Sequence, residues 1–198
     1  MQLIVITSPT FTVGEASIIS QILALGIDKV HIRKPNATAD ECRQLIEGIP
    51  THLHSRLVLH DHFELTTQFP SIGVHLNHRN STPPTDFKGS ISKSCHSLDE
   101  VERAKPMCHY VFLSPIFDSI SKQGYASAFL PDVLIAAQKQ GIIDRKVYAL
   151  GGISASNIPQ IRNYGFGGAA LLGDIWQRVG DTNFTAYITS LVQEAHKH

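Results

Sequence analysis

The chain has no excess of either charge: lysine plus arginine and aspartate plus glutamate number 17 each, a formal net charge of zero over 198 residues. Nothing here draws nucleic acid or an anionic membrane over long range, so any anionic ligand must be held by groups set locally. Cysteine is scarce. The 3 present, Cys42, Cys95 and Cys108, are odd in number and far apart. That argues against a disulfide framework and reads as reduced, buried thiols of a cytoplasmic protein. Long apolar runs are missing too, and no segment approaches the roughly 20 residues of a membrane helix. The opening Met1-Gln2-Leu3-Ile4-Val5-Ile6-Thr7 has neither the basic start nor the apolar length of a secretory signal. There is no low-complexity segment. No G-x-G-x-x-G follows the first apolar run, which disfavours a dinucleotide fold. Histidine is plentiful, at 11, yet His60-Asp61-His62 with His75 and His78 matches no standard zinc spacing.

What is present is a repeated alternation of strand-like and helix-like segments. Short runs rich in Ile, Val and Leu occur at 3–7, 29–33, 57–60, 72–76, 90–94, 110–113, 147–150 and 168–172. They lack clean alternation, as parallel strands covered on both faces do. Helical patterns fill most gaps. Residues 13–25 carry Ile18, Ile19, Ile22 and Leu23 and stop at Gly26; Ser97-Leu98-Asp99-Glu100 is a capping box; Phe184, Tyr187, Ile188, Leu191 and Val192 form a helical stripe. The connections after the third and fourth runs are short, so helices there should be reduced or irregular. Eight strand–helix repeats predict one (β/α)8 barrel, α/β in class, spanning residues 1–198 as a single domain, with an open doubly wound sheet as the structural alternative. The amphipathic helices suit a homodimer as well as a monomer.

In such a barrel the chemistry sits where the strands end at their C-termini. Lys146-Val147-Tyr148-Ala149-Leu150-Gly151-Gly152 and Gly167-Gly168-Ala169-Ala170-Leu171-Leu172-Gly173 both run from a strand into a glycine turn. Glycine lets backbone N–H groups come close to an anion, so Gly151, Gly152, Leu172 and Gly173 are candidates for a phosphate site. The other strand ends deliver His31, Arg33 and Lys34, then His60, Asp61 and His62, then His75, Asn77, His78 and Asn80, then Ser94 and His96, then Ser114. Arg33 is placed to fork onto a phosphate. Asp61 suits Mg2+, which needs only one or two carboxylates besides substrate phosphates. Ser119, Ser121 and Lys122 suit a lid over an anion. Cys95 beside His96 is no nucleophile–base pair, because strand neighbours point to opposite faces.

These landmarks together resemble the thiamine phosphate synthase family and its TenI-type thiazole tautomerase relatives over most of the chain. They are His31-Ile32-Arg33-Lys34, Leu57-Val58-Leu59-His60-Asp61, Gly73-Val74-His75-Leu76, Lys93-Ser94-Cys95-His96-Ser97 with Glu100, Tyr110-Val111-Phe112-Leu113-Ser114-Pro115-Ile116-Phe117 with Lys122, and Ala149-Leu150-Gly151-Gly152-Ile153 with Asn157. The resemblance implies a barrel enzyme of thiamine biosynthesis. It joins hydroxymethylpyrimidine diphosphate to a thiazole phosphate with Mg2+, releasing diphosphate through a pyrimidine cation. Arg33, Asp61, Ser94 and Lys122 match family positions that hold the diphosphate or its metal, and Gly151 matches the thiazole phosphate turn.

The departures fall mostly on the diphosphate side. His31 stands for a usual Gln, Pro35 for a Lys, His60 for an Asn, and Asn80 for the second metal-binding Asp. Ser119 and Ser121 replace Thr with hydroxyl retained, and Gly173 stands where a phosphate-contacting Ser is common. Charged hydrogen bonds contribute roughly 1.5–3 kcal/mol each, so the losses at 35 and 80 weaken that half. The expectation is a synthase with an eroded diphosphate and metal half. One alternative is a TenI-type tautomerase. Its usual His falls on Pro115, leaving His31, His60 or His96 as the base. Another is a non-catalytic thiazole phosphate binder or sensor.

Overall fold

A computed structural model describes residues 1–118 and 129–197; Ser119, Ser121 and Lys122 lie outside the described residues. Eight strands, all parallel, close into a barrel in chain order. They are β1 (Gln2–Ile6), β2 (Lys29–Ile32), β3 (Leu57–Leu59), β4 (Gly73–Leu76), β5 (Ile91–Cys95), β6 (Tyr110–Leu113), β7 (Val147–Leu150) and β8 (Gly168–Leu171). Closure is made by β8 against β1, from Gln2 opposite Gly168 to Val5 opposite Leu171. The predicted barrel is therefore found, and the open sheet is excluded.

The helices are α1 (Glu15–Ala24), α2 (Ala39–Glu47), α3 (Leu98–Ala104), α4 (Pro131–Lys139), α5 (Ile158–Asn163), α6 (Gly173–Trp176) and α7 (Phe184–His196). The α1 helix stops as the sequence predicts. The N–H of Gly26 bonds the carbonyl of Leu23 and that of Ile27 the carbonyl of Ile22, a Schellman closure that needs the positive φ of 108° at Gly26. Thr38 and Glu41 complete a reciprocal capping box on α2. The box expected at Ser97 is only half made. Ser97 accepts from the N–H of Glu100 at 3.2 Å, but the Glu100 carboxylate takes the N–H of His96, at 2.7 Å. Between β3 and β4 there is only a 3-10 turn, Phe63–Thr67, and the β4–β5 connection is irregular, as the short spacing required.

The apolar residues form two bodies. The larger lies between the barrel and its helices and includes Val30, Ile32, Leu57, Leu59, Val111, Leu113, Ile158, Ile188 and Leu191. The smaller, of Ile4, Ile6, Tyr110, Phe112, Tyr148 and Ala170, fills the barrel interior on the side of β1, β6, β7 and β8. The remaining sector, β2 to β5, buries polar side chains instead: His31, His60, His75 and Ser92. Among the described residues no helix is long and apolar enough to cross a membrane. All three cysteines are free thiols and buried.

Candidate active site

Because strand side chains alternate in direction, His31 on β2, His75 on β4 and Ser92 on β5 all enter the barrel, and His60 follows just past β3. A buried polar group must find partners. His31 Nδ1 meets His60 Nε2 at 2.9 Å, and His31 Nε2 meets the Tyr110 hydroxyl at 2.7 Å. His75 Nδ1 meets the Ser92 hydroxyl and His75 Nε2 the Ser94 hydroxyl, each at 2.8 Å. Two hydrogen-bonded rows thus lie side by side in the barrel, Ser94–His75–Ser92 and Tyr110–His31–His60, and Ser94 and His60 bring one end of each to the barrel mouth.

Burial keeps these imidazoles neutral. Desolvation is the first cause for each of the three. His75 is pushed down to about 3. His31 falls well below its ordinary range, further depressed by His75 and Lys29. His60 does the same beside His75, His31, Arg33 and Arg79. Ring nitrogens of the trio lie within 4.8 Å of one another, which raises a metal site. The ring geometry argues against one: His60 and His75 are stacked, centroids 4.2 Å apart and planes 19° apart. A metal lies close to the plane of each imidazole that binds it, and two nearly parallel, offset planes share no nearby point. Both nitrogens of His31 and of His75 are also already engaged.

Around the mouth, Asn77 shapes the turn after β4. Its side-chain oxygen accepts the N–H groups of Arg79 and Asn80 at 2.9 and 3.1 Å, and its amide donates to the His60 carbonyl at 2.8 Å. That turn brings Arg79 onto Asp61. Arg79 Nε reaches Oδ1 at 3.1 Å, and Nη2 reaches Oδ1 at 2.9 Å and Oδ2 at 3.1 Å. Asn80 donates from Nδ2 to the His60 carbonyl at 3.0 Å and to Asp61 Oδ1 at 3.2 Å. Two acceptors on that nitrogen fix the amide orientation, so Asn80 offers Asp61 a donor where a metal ligand would offer oxygen. The donor set does not fit Mg2+: the carboxylate is paired on both oxygens and the amide faces it with N–H. Arg33 is half-buried at the end of β2. Its guanidinium is lowered from its ordinary value by burial first and then by the charge of Arg79, with Asp61 opposing. The two arginines thus share one corner of the rim.

On the opposite side lie the glycine turns. Gly151 and Gly152 have φ of 100° and 64°. Asn157 pins them by donating to the Gly152 carbonyl at 2.8 Å and accepting the N–H of Ser154 at 3.0 Å. Among the described residues no acceptor takes the N–H of Gly152, Gly173 or Asp174. Leu172 packs on the inner apolar cluster at the rim. The Asp174 carboxylate turns away to Arg178, at 3.2 Å, and to the Tyr187 hydroxyl.

Of the proposed bases, His31 and His60 are together, whereas His96 is exposed and tethered to Ser114, 3.3 Å from its hydroxyl and 3.1 Å from its carbonyl. Lys34 does not face the mouth. It is buried against Glu15 at 2.7 Å and the carbonyls of Ser8 and Thr10 at 2.9 and 2.8 Å. Sequence reasoning passed over Arg79 and gave no role to Ser92 or Tyr110. Position 79 had one available signal, a cation next to a position that had lost an acid.

Fold and rim define the class first: a (β/α)8 barrel whose strand ends present arginines on one side and glycine turns on the other, a mouth suited to anionic ligands. The sequence profile described as thiamine monophosphate synthase, TMP-TENI, matches residues 3–175, and the chain belongs to that family. The thiamine-phosphate synthase of Photorhabdus laumondii is 26% identical over 186 residues, covering 88% of this chain and 85% of its own. That of Thermus thermophilus is 28% identical over 156 residues, 72% of each chain. A crystal structure of thiamine phosphate pyrophosphorylase from Bacteroides thetaiotaomicron superposes with a TM-score of 0.89 at 40% identity, covering 100% of both chains. The Pyrococcus furiosus thiamine phosphate pyrophosphorylase, TM-score 0.78 at 19% identity over 99% of this chain and 97% of its own, shares the fold.

Proposed function

We propose that the protein is a transferase of the thiamine phosphate synthase type, joining a pyrimidinylmethyl diphosphate to a thiazole phosphate. The observation that carries this reading is the placement of two anion-suited places across one mouth. In the closed strand order β4, which leads to Arg79, lies across the barrel from β8, and β2, which leads to Arg33, lies across from β6, the neighbour of β7. One ligand would put its diphosphate at the arginines, and the other its phosphate at Gly151, Gly152 and Gly173. The C–O bond to diphosphate breaks with its electron pair leaving on the diphosphate. The thiazole nitrogen lone pair then closes the C–N bond to the pyrimidine methylene. No proton has to move. Neutral His31, His60 and His75 suit this step, because an imidazolium in their place would repel the developing pyrimidine cation.

A second reading rests on the His60–His31–Tyr110 contacts. Neutral hydrogen-bonded groups can pass a proton, as a thiazole phosphate tautomerase requires. Incubation of the purified protein with both phosphorylated partners separates the two. Thiamine phosphate formation, lowered at least about tenfold by Arg33→Ala, supports the transferase. Conversion of the thiazole tautomer alone, lost in His60→Gln, supports the tautomerase. Thiazole phosphate binding in calorimetry with neither turnover leaves a sensor, and no binding of either phosphate ester sinks all three.

A further inference from the structure

We propose that Arg79 stands in the place of a divalent cation: with Arg33 it holds the diphosphate in a metal-free clamp of two guanidinium groups, seated on Asp61. This rests on the transferase reading above, and it changes what the diphosphate end of the site is made of.

Four observations carry it. Asp61, the carboxylate at this corner, is already engaged by Arg79 through Nε and Nη2, at 2.9 to 3.1 Å. Asn80 turns N–H toward Asp61, so the pair offers a cation one occupied carboxylate and no amide oxygen. Before a diphosphate arrives, a metal here would add two positive charges to those of Arg33 and Arg79, against the single negative charge of Asp61, so the empty corner does not hold one in advance. The Asp61 contact also uses only one edge of the guanidinium. Among the described residues nothing accepts from Arg79 Nη1, and the side chain is 44% exposed while Asp61 beneath it is 12% exposed. The free edge of a planar guanidinium is preorganised for two phosphate oxygens.

The mounting is firm. The turn that carries Arg79 is closed by Asn77, which accepts the Arg79 N–H at 2.9 Å and ties the turn to the β3 end through the His60 carbonyl at 2.8 Å. Arg33 supplies the second cation from β2, its own N–H held by Thr7 Oγ1 at 2.9 Å. A diphosphate lying between them meets one guanidinium held on Asp61 and a second carried on an anchored backbone, and it need not displace Arg79 from its support.

The test is calorimetry of inorganic pyrophosphate with the intact protein, once in EDTA and once in excess Mg2+. Binding in EDTA within about threefold of that in Mg2+ is expected, with Arg79→Ala weakening it at least about tenfold and Arg79→Lys falling between. Thermal midpoints establish that each variant is folded. The double variant Arg79→Ser with Asn80→Asp clears Asp61 and supplies a second carboxylate, so its pyrophosphate binding should become Mg2+-dependent. Binding by the parent only in Mg2+ overturns the clamp and leaves the transferase reading standing. Pyrophosphate binding in neither condition overturns both, and a double variant that binds in EDTA as tightly as the parent overturns the clamp.

Discussion

A methyl group on Gly152 would sit 2.3 Å from the Asp118 carbonyl oxygen and 2.7 Å from Phe117 Cβ, at a φ of 64°. One on Gly151 would sit 2.9 Å from Pro115 Cα. Gly152→Ala should therefore destabilise the fold by roughly 2–4 kcal/mol, strain and overlap together, read as a lowered urea midpoint; an unchanged midpoint would refute that account. The sequence made the close backbone approach legible at this turn, but not the neighbour that comes close, which includes the chain's own 115–118 segment. At position 79 the same limit applied. An arginine between His78 and Asn80 carries no mark of where its side chain folds back, and only the Asn77 turn aims it at Asp61.

At the scale of the element, the β1–α1 connection depends on a buried ion pair. Lys34 and Glu15 have side chains 0% and 2% exposed, and the ammonium also takes the carbonyls of Ser8 and Thr10. Lys34→Met leaves a buried carboxylate alone and should cost about 3–5 kcal/mol, whereas Lys34→Met with Glu15→Leu should recover much of that. Urea midpoints of the two single variants and the double variant measure the coupling, and a Lys34→Met protein as stable as the parent removes this role. In the sequence Lys34 follows Arg33 as one more cation for the mouth. The period of two along an extended segment sends the pair to opposite sides, a rule that requires knowing where β2 ends. The end of α1 was easier to read, because Gly26 acts through its own few neighbours. Glu100 was harder: it had two N–H groups within reach and bonded that of His96 rather than that of Ser97.

Over the whole molecule, strand count, order and closure were legible because eight apolar runs alternate with helical patterns. The division of the interior was not, since it depends on which residues of distant strands meet. One sector packs Ile4, Ile6, Phe112 and Tyr148, and the other buries three histidines. That division makes the fold acid-sensitive. His75 titrates near 3 in the barrel and near 6.5 when free. Its contribution is whole above about pH 6.5 and is lost as the pH falls toward 3, because the unfolded chain takes up a proton that the barrel refuses. The expected slope approaches about 1.4 kcal/mol per pH unit for each such histidine. His75→Gln, which keeps hydrogen-bonding groups without titrating there, should make the fall of the urea midpoint from pH 7.5 to 5 shallower; an equally steep fall would count against it. The row from Tyr110 through His31 to His60 has one more property. With each imidazole neutral, the proton between His31 and His60 also sets the direction of the Tyr110 contact, so the row stores one bit. Either Tyr110 accepts from His31 and His60 Nδ1 is bare, or Tyr110 gives its hydrogen to His31 and His60 Nδ1 is capped. A ligand group that donates to His60 Nδ1 writes the first value and one that accepts from it writes the second, without any heavy atom changing place.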